Sequence, residues 1–428
     1  MYFGLMIAIF VIGYAMIALE HPLKINKSAT AVLLAAVIWA VFALFGPGIK
    51  DGALIHHLGE TAEILFFLLG AMTIVEIIDK HDGFSIITDK ITTTSKRKLL
   101  WIISILTFFM SAVLDNLTTS IVMCALLRKL VGDKNTRWFF AGMVILAANA
   151  GGAWSPIGDV TTIMLWIKGN ITAGNIILET IIPSLVSLLV PVAIIGMTMK
   201  GKLERPEKTE SEETSTVTRK QSLLILCMGV GLLLFVPFFK TITHLPPYLG
   251  ILFGLGILWI TTEIMHKNNP TNYSRLNVTA IIQKVDVPSV LFFLGILMAV
   301  SCLNEAGHLA LLAENLDKLG NVYVINIVIG VLSSIIDNVP LVAAAMGMYP
   351  IEAIGNFAVD GAFWEGLAYC AGTGGSLLII GSAAGVAVMG MEKIDFIWYL
   401  KKISLWALVG YLAGAGTFYL MSTLIFHA

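Results

Sequence analysis

Two matching pairs of an aspartate followed by an asparagine stand inside long apolar stretches of this chain. Asp115-Asn116 lies in the first half and Asp337-Asn338 in the second. An ionised carboxylate at the centre of a bilayer costs on the order of 3 kcal/mol even on the mildest insertion scale. Carboxylate and amide oxygens are hard ligands that suit Na⁺, Li⁺ or a proton. Two such pairs predict an ion-binding site rather than two accidents of packing.

A third polar string separates two apolar runs between residues 138 and 167. It contains a Gly-Gly pair and Ser155-Pro156, which interrupt a helix. Unpaired backbone at bilayer depth is tolerated only where it lines a cavity, so we expect unwound backbone beside a polar cavity. The candidate cation- or proton-binding residues are Asp115, Asn116, Thr118, Thr119, Asn149, Ser155, Asp159, Asp337 and Asn338. The predicted Na⁺ ligands among them are Asp115, Asp159 and Asp337.

The corresponding string of the second half, residues 372–382, contains hydroxyl groups but no acid. Ser376 stands in it, and Ser382 takes the place of Asp159. The predicted site is therefore richer in charge on the side of the first half. Glu365 lies alone in the apolar run before this string and is a candidate proton carrier. A position at the outer interface is the alternative for this residue.

The composition places these residues in a membrane. Of the 428 residues, 57% are hydrophobic and 13% charged, against roughly 25% charged in a soluble domain. Apolar runs of about 20 residues, the length of a spanning helix, recur throughout. The four cysteines stand singly and predict neither a disulfide nor a metal site. The predicted fold class is an all-α polytopic membrane protein, with full spans near residues 2–20, 29–45, 60–79, 138–167, 178–199, 222–239, 246–265, 286–303, 361–391 and 403–426.

The distribution of basic residues orients these spans. If the N-terminus is outside, the cytoplasmic loops hold 23 of the 27 Lys and Arg residues, as the positive-inside rule requires. This bias is kept if the two segments interrupted by an Asp-Asn pair, 99–127 and 321–350, are re-entrant hairpins. Such a hairpin enters and leaves the membrane on one side. The sequence thus predicts a multi-pass protein of the cell (inner) membrane with both termini outside. The cytoplasmic loops are then 21–28, 80–98, 128–137, 200–221, 266–284 and 392–402.

The motifs recur in the same order at a nearly constant spacing. The Asp-Asn pairs are 222 residues apart, and the Gly-Gly pairs at 151 and 374 are 223 apart. Each half contains, in order, a full span, a hairpin and a broken span. The first of these two units starts outside the membrane and the second starts inside, which predicts an inverted repeat. The predicted boundaries are 1–59 for two N-terminal spans, 60–199 for repeat 1, 200–221 for a polar and disordered connector, 222–285 for the spans that lead into repeat 2, and 286–428 for repeat 2.

These motifs resemble those of the NhaD-type sodium/proton antiporters of the ion transporter superfamily. The resemblance rests on the strings that begin at Asp115, Asn149 and Asp337, and it covers about residues 60 to 391. It implies two inverted repeats, each with a re-entrant hairpin and an unwound helix. It also implies a secondary transporter, not an enzyme, that exchanges Na⁺ or Li⁺ for H⁺ by alternating access. It further implies a homodimer in the lipid bilayer, with no cofactor and no nucleic-acid partner.

Three other functions stay open at the level of sequence. A Na⁺-coupled anion or dicarboxylate symporter has the same fold, although its Ser-Asn-Thr tips are neutral and a carboxylate repels an anion. An intramembrane aspartyl protease is suggested by Gly158-Asp159, but Pro156 stands where that motif has glycine. A passive cation channel usually surrounds its pore with several subunits, whereas an inverted repeat suits alternating access.

Overall fold

The regular secondary structure of the described residues is helical, apart from two isolated β-bridges. The computed structural model describes residues 2–203, 217–267 and 275–426. Most of the polar connector predicted at 200–221 therefore lies outside the described residues. The first twelve helices are α1 Tyr2–Ala18, α2 Glu20–Leu23, α3 Lys27–Phe45, α4 Ala53–Lys80, α5 Ser85–Thr88, α6 Lys96–Leu114, α7 Asn116–Leu130, α8 Lys134–Gly152, α9 Val160–Ile167, α10 Ala173–Thr198, α11 Arg219–Thr243 and α12 Pro247–His266.

Nine further helices follow within the described ranges of the second half. A π-helical turn, Ser422–Phe426, extends the last of them. They are α13 Val278–Ile282, α14 Val287–Glu305, α15 His308–Asp317, α16 Val322–Ser333, α17 Asn338–Met348, α18 Ala362–Gly374, α19 Ala383–Glu392, α20 Phe396–Lys402 and α21 Ser404–Met421.

The lengths and apolar character of these helices agree with a polytopic membrane protein. Eight of the described helices are long and apolar enough to cross a membrane, namely α3, α4, α6, α10, α11, α12, α14 and α21 with its π-helical extension.

One boundary differs clearly from the sequence prediction. The helix expected to begin at residue 60 begins at Ala53, directly after Gly52, whose φ of 82° only glycine adopts readily. Glu60 therefore lies inside α4 and not at its start.

Both segments that carry an Asp-Asn pair are interrupted at the aspartate. Asp115 alone separates α6 from α7, and residues 334–337, which end at Asp337, separate α16 from α17. Each aspartate caps the helix that follows, since Asp115 Oδ1 accepts from Thr118 N at 2.7 Å and Asp337 Oδ1 accepts from Val339 N at 3.3 Å. Asp115 has φ 73°, a conformation that costs a residue other than glycine about 1–3 kcal/mol. Strain of this kind is concentrated at functional sites.

The two predicted broken spans are also interrupted. Residues 153–159 separate α8 from α9, and residues 375–382 separate α18 from α19. Glycine allows close packing before each break. A Cβ atom at Gly151 would collide with the backbone carbonyl of Phe108 in α6, and one at Gly374 would collide with that of Gly330 in α16. The backbones of α6 and α8, and those of α16 and α18, therefore lie in direct contact.

Equivalent hydrogen bonds hold these two helix pairs together. Ser111 Oγ in α6 donates to Ala148 O in α8 at 2.6 Å. Ser333 Oγ in α16 donates to Ala371 O in α18 at 2.8 Å. The two serines are separated by the same spacing as the Asp-Asn pairs. Each hydroxyl adds a hydrogen bond to a carbonyl group in the last turns before the break, and Ala371 O also accepts from Gly375 N at 3.4 Å.

Polar contacts at the helix termini identify two opposite ends of the bundle. At the first end, Lys96 at the start of α6 donates to Thr136 Oγ1 near the start of α8 at 3.2 Å. Arg128 near the end of α7 and Arg137 in α8 both pair with Glu392 at the end of α19, at 2.6 and 2.8 Å. The start of α6, the end of α7, the start of α8 and the end of α19 therefore lie together.

A second set of helix termini lies together at the other end of the bundle. Asp360, directly before α18, accepts from Thr172 Oγ1 after α9 at 2.8 Å. Tyr349, directly after α17, donates at 3.0 Å to Oδ1 of Asp317, the last residue of α15, which precedes α16. The Tyr349 ring lies 4.8 Å from that of Phe363 at the start of α18. The end of α9, both outer termini of α16 and α17, and the start of α18 therefore lie together.

Candidate functional site

One buried carboxylate, that of Asp159, lies where the interruptions of both halves meet. Asp159 is 1% exposed and caps α9, with Oδ1 accepting from Thr161 N and Thr161 Oγ1, both at 2.9 Å. Its Oδ2 accepts from Asn116 Nδ2 at 2.5 Å and from Asn338 Nδ2 at 3.3 Å. The asparagines of the two Asp-Asn pairs therefore converge on the same carboxylate.

Asn149, at the end of α8, extends this network to the second broken span. Its Oδ1 accepts from Asn116 Nδ2 at 3.1 Å. Its Nδ2 donates to Ser376 Oγ at 2.9 Å and to Ser382 Oγ at 3.0 Å. All four of these residues are buried. We call Asp159, Asn116, Asn338, Asn149, Ser376 and Ser382 the central network.

The two aspartates of the Asp-Asn pairs flank the central network without hydrogen bonding to it. Asp115 pairs with Thr118, whose Oγ1 donates to Asp115 Oδ2 at 3.0 Å. Asp337 lies 3.8 Å from the Lys27 ammonium group at the start of α3, and its backbone N–H donates to the hydroxyl of Tyr14 in α1 at 2.9 Å. The first two long helices, which carry no recognisable motif, thus contact the second Asp-Asn pair.

The structure therefore unites some of the predicted site residues and separates others. Asn116, Asn149, Asp159 and Asn338 are in direct contact. Within the described residues, the buried Thr119 hydroxyl has no hydrogen-bond partner, and the Ser155 hydroxyl accepts a hydrogen bond only from Ile157 N, at 3.4 Å. Glu365 lies elsewhere, on α18 against α10, where it accepts from Asn175 Nδ2.

Sequence reasoning noted Ser376 and Ser382 but did not include them among the candidate ligands. The signal that identifies Ser382 is the 223-residue spacing between the Gly-Gly pairs, which also places this serine at the position of Asp159. Lys27 had no signal beyond its positive charge. Its contact with Asp337 joins residues 310 positions apart and depends on the packing of α3 beside the second half.

The central network stabilises a negative charge by several donors at once. Four donors approach Asp159, two from asparagine amides and two from Thr161. The N-termini of α7, α9 and α17, which carry positive partial charge, begin at the three capping aspartates. These donors and partial charges favour a negative charge on the Asp159 carboxylate. Among the described residues there is no cluster of His, Cys, Asp and Glu arranged for a bound metal ion.

Comparisons with known proteins agree with a transport site. A family model described as citrate transporter (CitMHS) matches residues 7–364. Sodium/proton antiporter 1 of Arabidopsis thaliana is 48% identical over 99% of this chain and 73% of its own length. Sodium/proton antiporter 2 of the same plant is 46% identical over 96% of this chain and 98% of its own. The Na⁺/H⁺ antiporter NhaD of Vibrio cholerae is 33% identical over 92% of this chain and 86% of its own.

The family-model match covers residues 7–364, and the matches to these three relatives cover 92–99% of the chain. They confirm the predicted family and the prediction that the chain is a transporter and not an enzyme. With its eight apolar helices of membrane-spanning length, the chain belongs to the CitMHS family of multi-pass membrane transporters, together with the NhaD-type sodium/proton antiporters.

Proposed function

We propose that this protein exchanges Na⁺ for H⁺ across a membrane and that Asp159 binds the two ions in competition. The observation that carries the proposal is the convergence of Asn116 and Asn338 on the one buried Asp159 carboxylate. A proton and a Na⁺ ion need the same carboxylate lone pairs, so occupancy by one excludes the other. The names of relatives that are 48% and 33% identical to the chain support the choice of ions.

The proposed cation site extends beyond Asp159 to the surrounding oxygen atoms. Na⁺ prefers hard oxygen ligands, and the proposed ligands are the carboxylates of Asp115, Asp159 and Asp337. Displacement of the amide hydrogen bonds would allow the side-chain oxygens of the asparagines to turn toward the ion. The remaining proposed site residues are Asn116, Thr118, Thr119, Asn149, Ser155 and Asn338. No cofactor takes part, and Li⁺ is expected to replace Na⁺.

The two halves are proposed to be inverted repeats, each with a re-entrant hairpin. The contacts of Lys96 with Thr136 and of Arg128 with Glu392 support this, because they place the start of α6 and the end of α7 at the same end of the bundle. The Tyr349–Asp317 hydrogen bond places the outer termini of α16 and α17 at the opposite end. The two hairpins would then enter from opposite sides.

Alternating access is proposed because the central network crosses between the halves. Asn149 of the first half holds Ser376 and Ser382, and Asp159 accepts from Asn338 of the second half. A movement of one half against the other must break or exchange these bonds, and ion binding at Asp159 would decide which set forms. The end with Arg128 and Arg137 is proposed to face the cytoplasm, with both termini outside and two copies forming a homodimer in the cell (inner) membrane.

The experiment that tests this function uses inverted membrane vesicles from a host that lacks its own antiporters. A respiration-generated ΔpH is followed with a pH-sensitive dye, and chloride salts of Na⁺, Li⁺ and K⁺ are added in turn. Na⁺ and Li⁺ should dissipate the gradient, whereas K⁺ and vesicles without the protein should give no response. A response to citrate with no response to Na⁺ or Li⁺ alone would replace this proposal with an anion symporter, the activity that the family description names.

A further inference from the structure

A second group of buried acids lies between α10 and α18, outside the central network. Glu365 on α18 is 0% exposed, and Glu179 on α10 is 2% exposed. Asn175 joins them, because its Nδ2 donates to Glu179 Oε1 at 2.7 Å and to Glu365 Oε1 at 3.1 Å. Since both oxygens contact one nitrogen atom, the two carboxyl groups are direct neighbours inside the helix bundle.

No described residue donates a hydrogen bond to the second carboxyl oxygen of Glu365, Oε2, which is buried. Asp360, which is half-buried at the end of the bundle where α18 begins, lies within hydrogen-bonding reach of the Glu365 carboxyl group. Asp360 is itself held by Thr172 Oγ1 at 2.8 Å. A protonated Glu365 can therefore donate to the Asp360 carboxylate.

The geometry suits a proton better than a metal cation. A bound cation requires several oxygen atoms that face it. Here the Asn175 amide group points its two hydrogens at both glutamates, at the position between them that a cation would need. Two buried carboxylates side by side also repel each other, and a single proton removes that repulsion. The charged groups that act on Glu365 are Glu179 from α10 and Asp360 from the loop before α18.

The acids are connected to the central network through Ala153, the first residue of the first break. Thr180, the residue after Glu179, packs against this break, because its Oγ1 lies 3.4 Å from Ala153 O while its hydroxyl donates to Ile176 O at 2.5 Å. On α18, Gly372 lies about 10 Å, or two helical turns, from Glu365, and a Cβ atom there would lie 3.1 Å from Ala153 Cβ. Ala153 N in turn donates to Asn149 O. The helices that carry the two glutamates therefore both contact the break that holds the cation site.

We propose that Asp360, Glu365 and Glu179 form a proton relay, with Glu365 as the proton carrier, that runs from the surface toward the break at Ala153. Asp360 is the surface member of the relay, and Glu179 is the member nearest to the break. The relay binds protons only and is separate from the cation site at Asp159. Its role in transport rests on the proposed Na⁺/H⁺ exchange.

Infrared spectroscopy of the purified full-length protein tests the relay directly. Protonated carboxyl groups absorb apart from carboxylates, and the band is followed as the pH is raised. Glu365→Gln should remove one protonated-carboxyl band, whereas Glu314→Gln, on the exposed face of α15, should remove none. Glu179→Gln should retain the band but lose it at a lower pH than the wild type, because a neighbouring negative charge has been removed.

Two results would overturn the relay. One is an unchanged spectrum in Glu365→Gln, and the other is an unchanged titration of the band in Glu179→Gln. If Glu365→Gln cannot be recovered folded, Asp360→Asn is measured in its place. In this variant the protonated-carboxyl band should also disappear at a lower pH than in the wild type. A band that disappears at the wild-type pH counts against the relay. This assay needs no transport, so its result is independent of the proposed exchange.

Transport then tests the role of the relay. Glu365→Gln should slow Na⁺-driven dissipation of ΔpH at least tenfold while Na⁺ still raises the melting temperature of the purified variant. Wild-type exchange in a variant that has lost the band would contradict a role in transport and leave the cation site untouched.

Discussion

The replacement Asp159→Asn removes the negative charge at the centre of the proposed site but keeps the shape of the side chain. The new side chain can still accept from Thr161 through its Oδ1 atom and so keeps the cap of α9. Its Nδ2 atom would face the Nδ2 atoms of Asn116 and Asn338, where Asp159 Oδ2 had accepted two hydrogen bonds. Each donor that loses its acceptor in a buried site costs about 1–3 kcal/mol unless its side chain turns.

The larger effect is on cation binding. A unit charge about 4 Å from a cation contributes about 4 kcal/mol at an effective dielectric constant of about 20. Since 1.4 kcal/mol corresponds to a tenfold change, Asp159→Asn should weaken Na⁺ binding by roughly a thousandfold. Exchange should then be undetectable at Na⁺ concentrations that saturate the wild type.

The assay is Na⁺-driven dissipation of ΔpH in vesicles, together with calorimetric Na⁺ binding to the purified protein. The matched control is Asp133→Asn, which changes an exposed aspartate that caps α8 in the same way that Asp159 caps α9. This control should behave like the wild type. If Asp159→Asn is present in the membrane at normal levels and its Na⁺ affinity falls by less than about threefold, the reasoning is wrong and the carboxylate is only a helix cap.

Three further changes test the packing of the bundle. Gly151→Ala should destabilise the protein by about 1–3 kcal/mol, because the new methyl group collides with a backbone carbonyl of α6, whereas Gly174→Ala in an open position should not lower the melting temperature. Glu392→Gln should cost about 2–3 kcal/mol in chemical denaturation, since its two arginine partners, 48% and 22% exposed, keep part of their hydration; an unchanged midpoint would refute this. Burial lowers the pKa of His81, whose Nε2 lies 2.9 Å from His266 Nε2. Folding therefore favours the neutral form, and the melting temperature should fall as the pH drops below the unfolded pKa of about 6.5. His81→Gln should make this fall smaller.

The interruptions of the helices were predictable because they depend on local chemistry. Glycine and proline weaken a helix, and a capping aspartate starts a new one; residues 153–159 and 375–382 are indeed non-helical. The start of α4 was missed because residues 53–59 are less apolar than the rest of the span and resemble a loop. Helix propensity and the packing of α4 against α12 and α14 outweigh that local signal.

The arrangement of the central network was not predictable from local pattern. The sequence prediction that the carboxylates of both Asp-Asn pairs bind the cation stays a prediction. The sequence did not indicate that each aspartate also caps a helix while its neighbouring asparagine reaches Asp159. An N-cap side chain turns back onto its own helix, so the following residue is the one that points away. Which partner that residue meets depends on contacts between positions 43 and 179 residues apart.

The most direct test of the central claim is the uptake of radioactive Na⁺ by liposomes that contain only the purified protein. An acidic interior should drive Na⁺ inward against its own gradient, and a protonophore that collapses ΔpH, with the membrane potential clamped at zero, should stop the uptake. The Asp159→Asn protein should show no uptake. Accumulation of Na⁺ that ignores the pH gradient, or equal accumulation with Asp159→Asn, would contradict exchange of Na⁺ and H⁺ at this carboxylate.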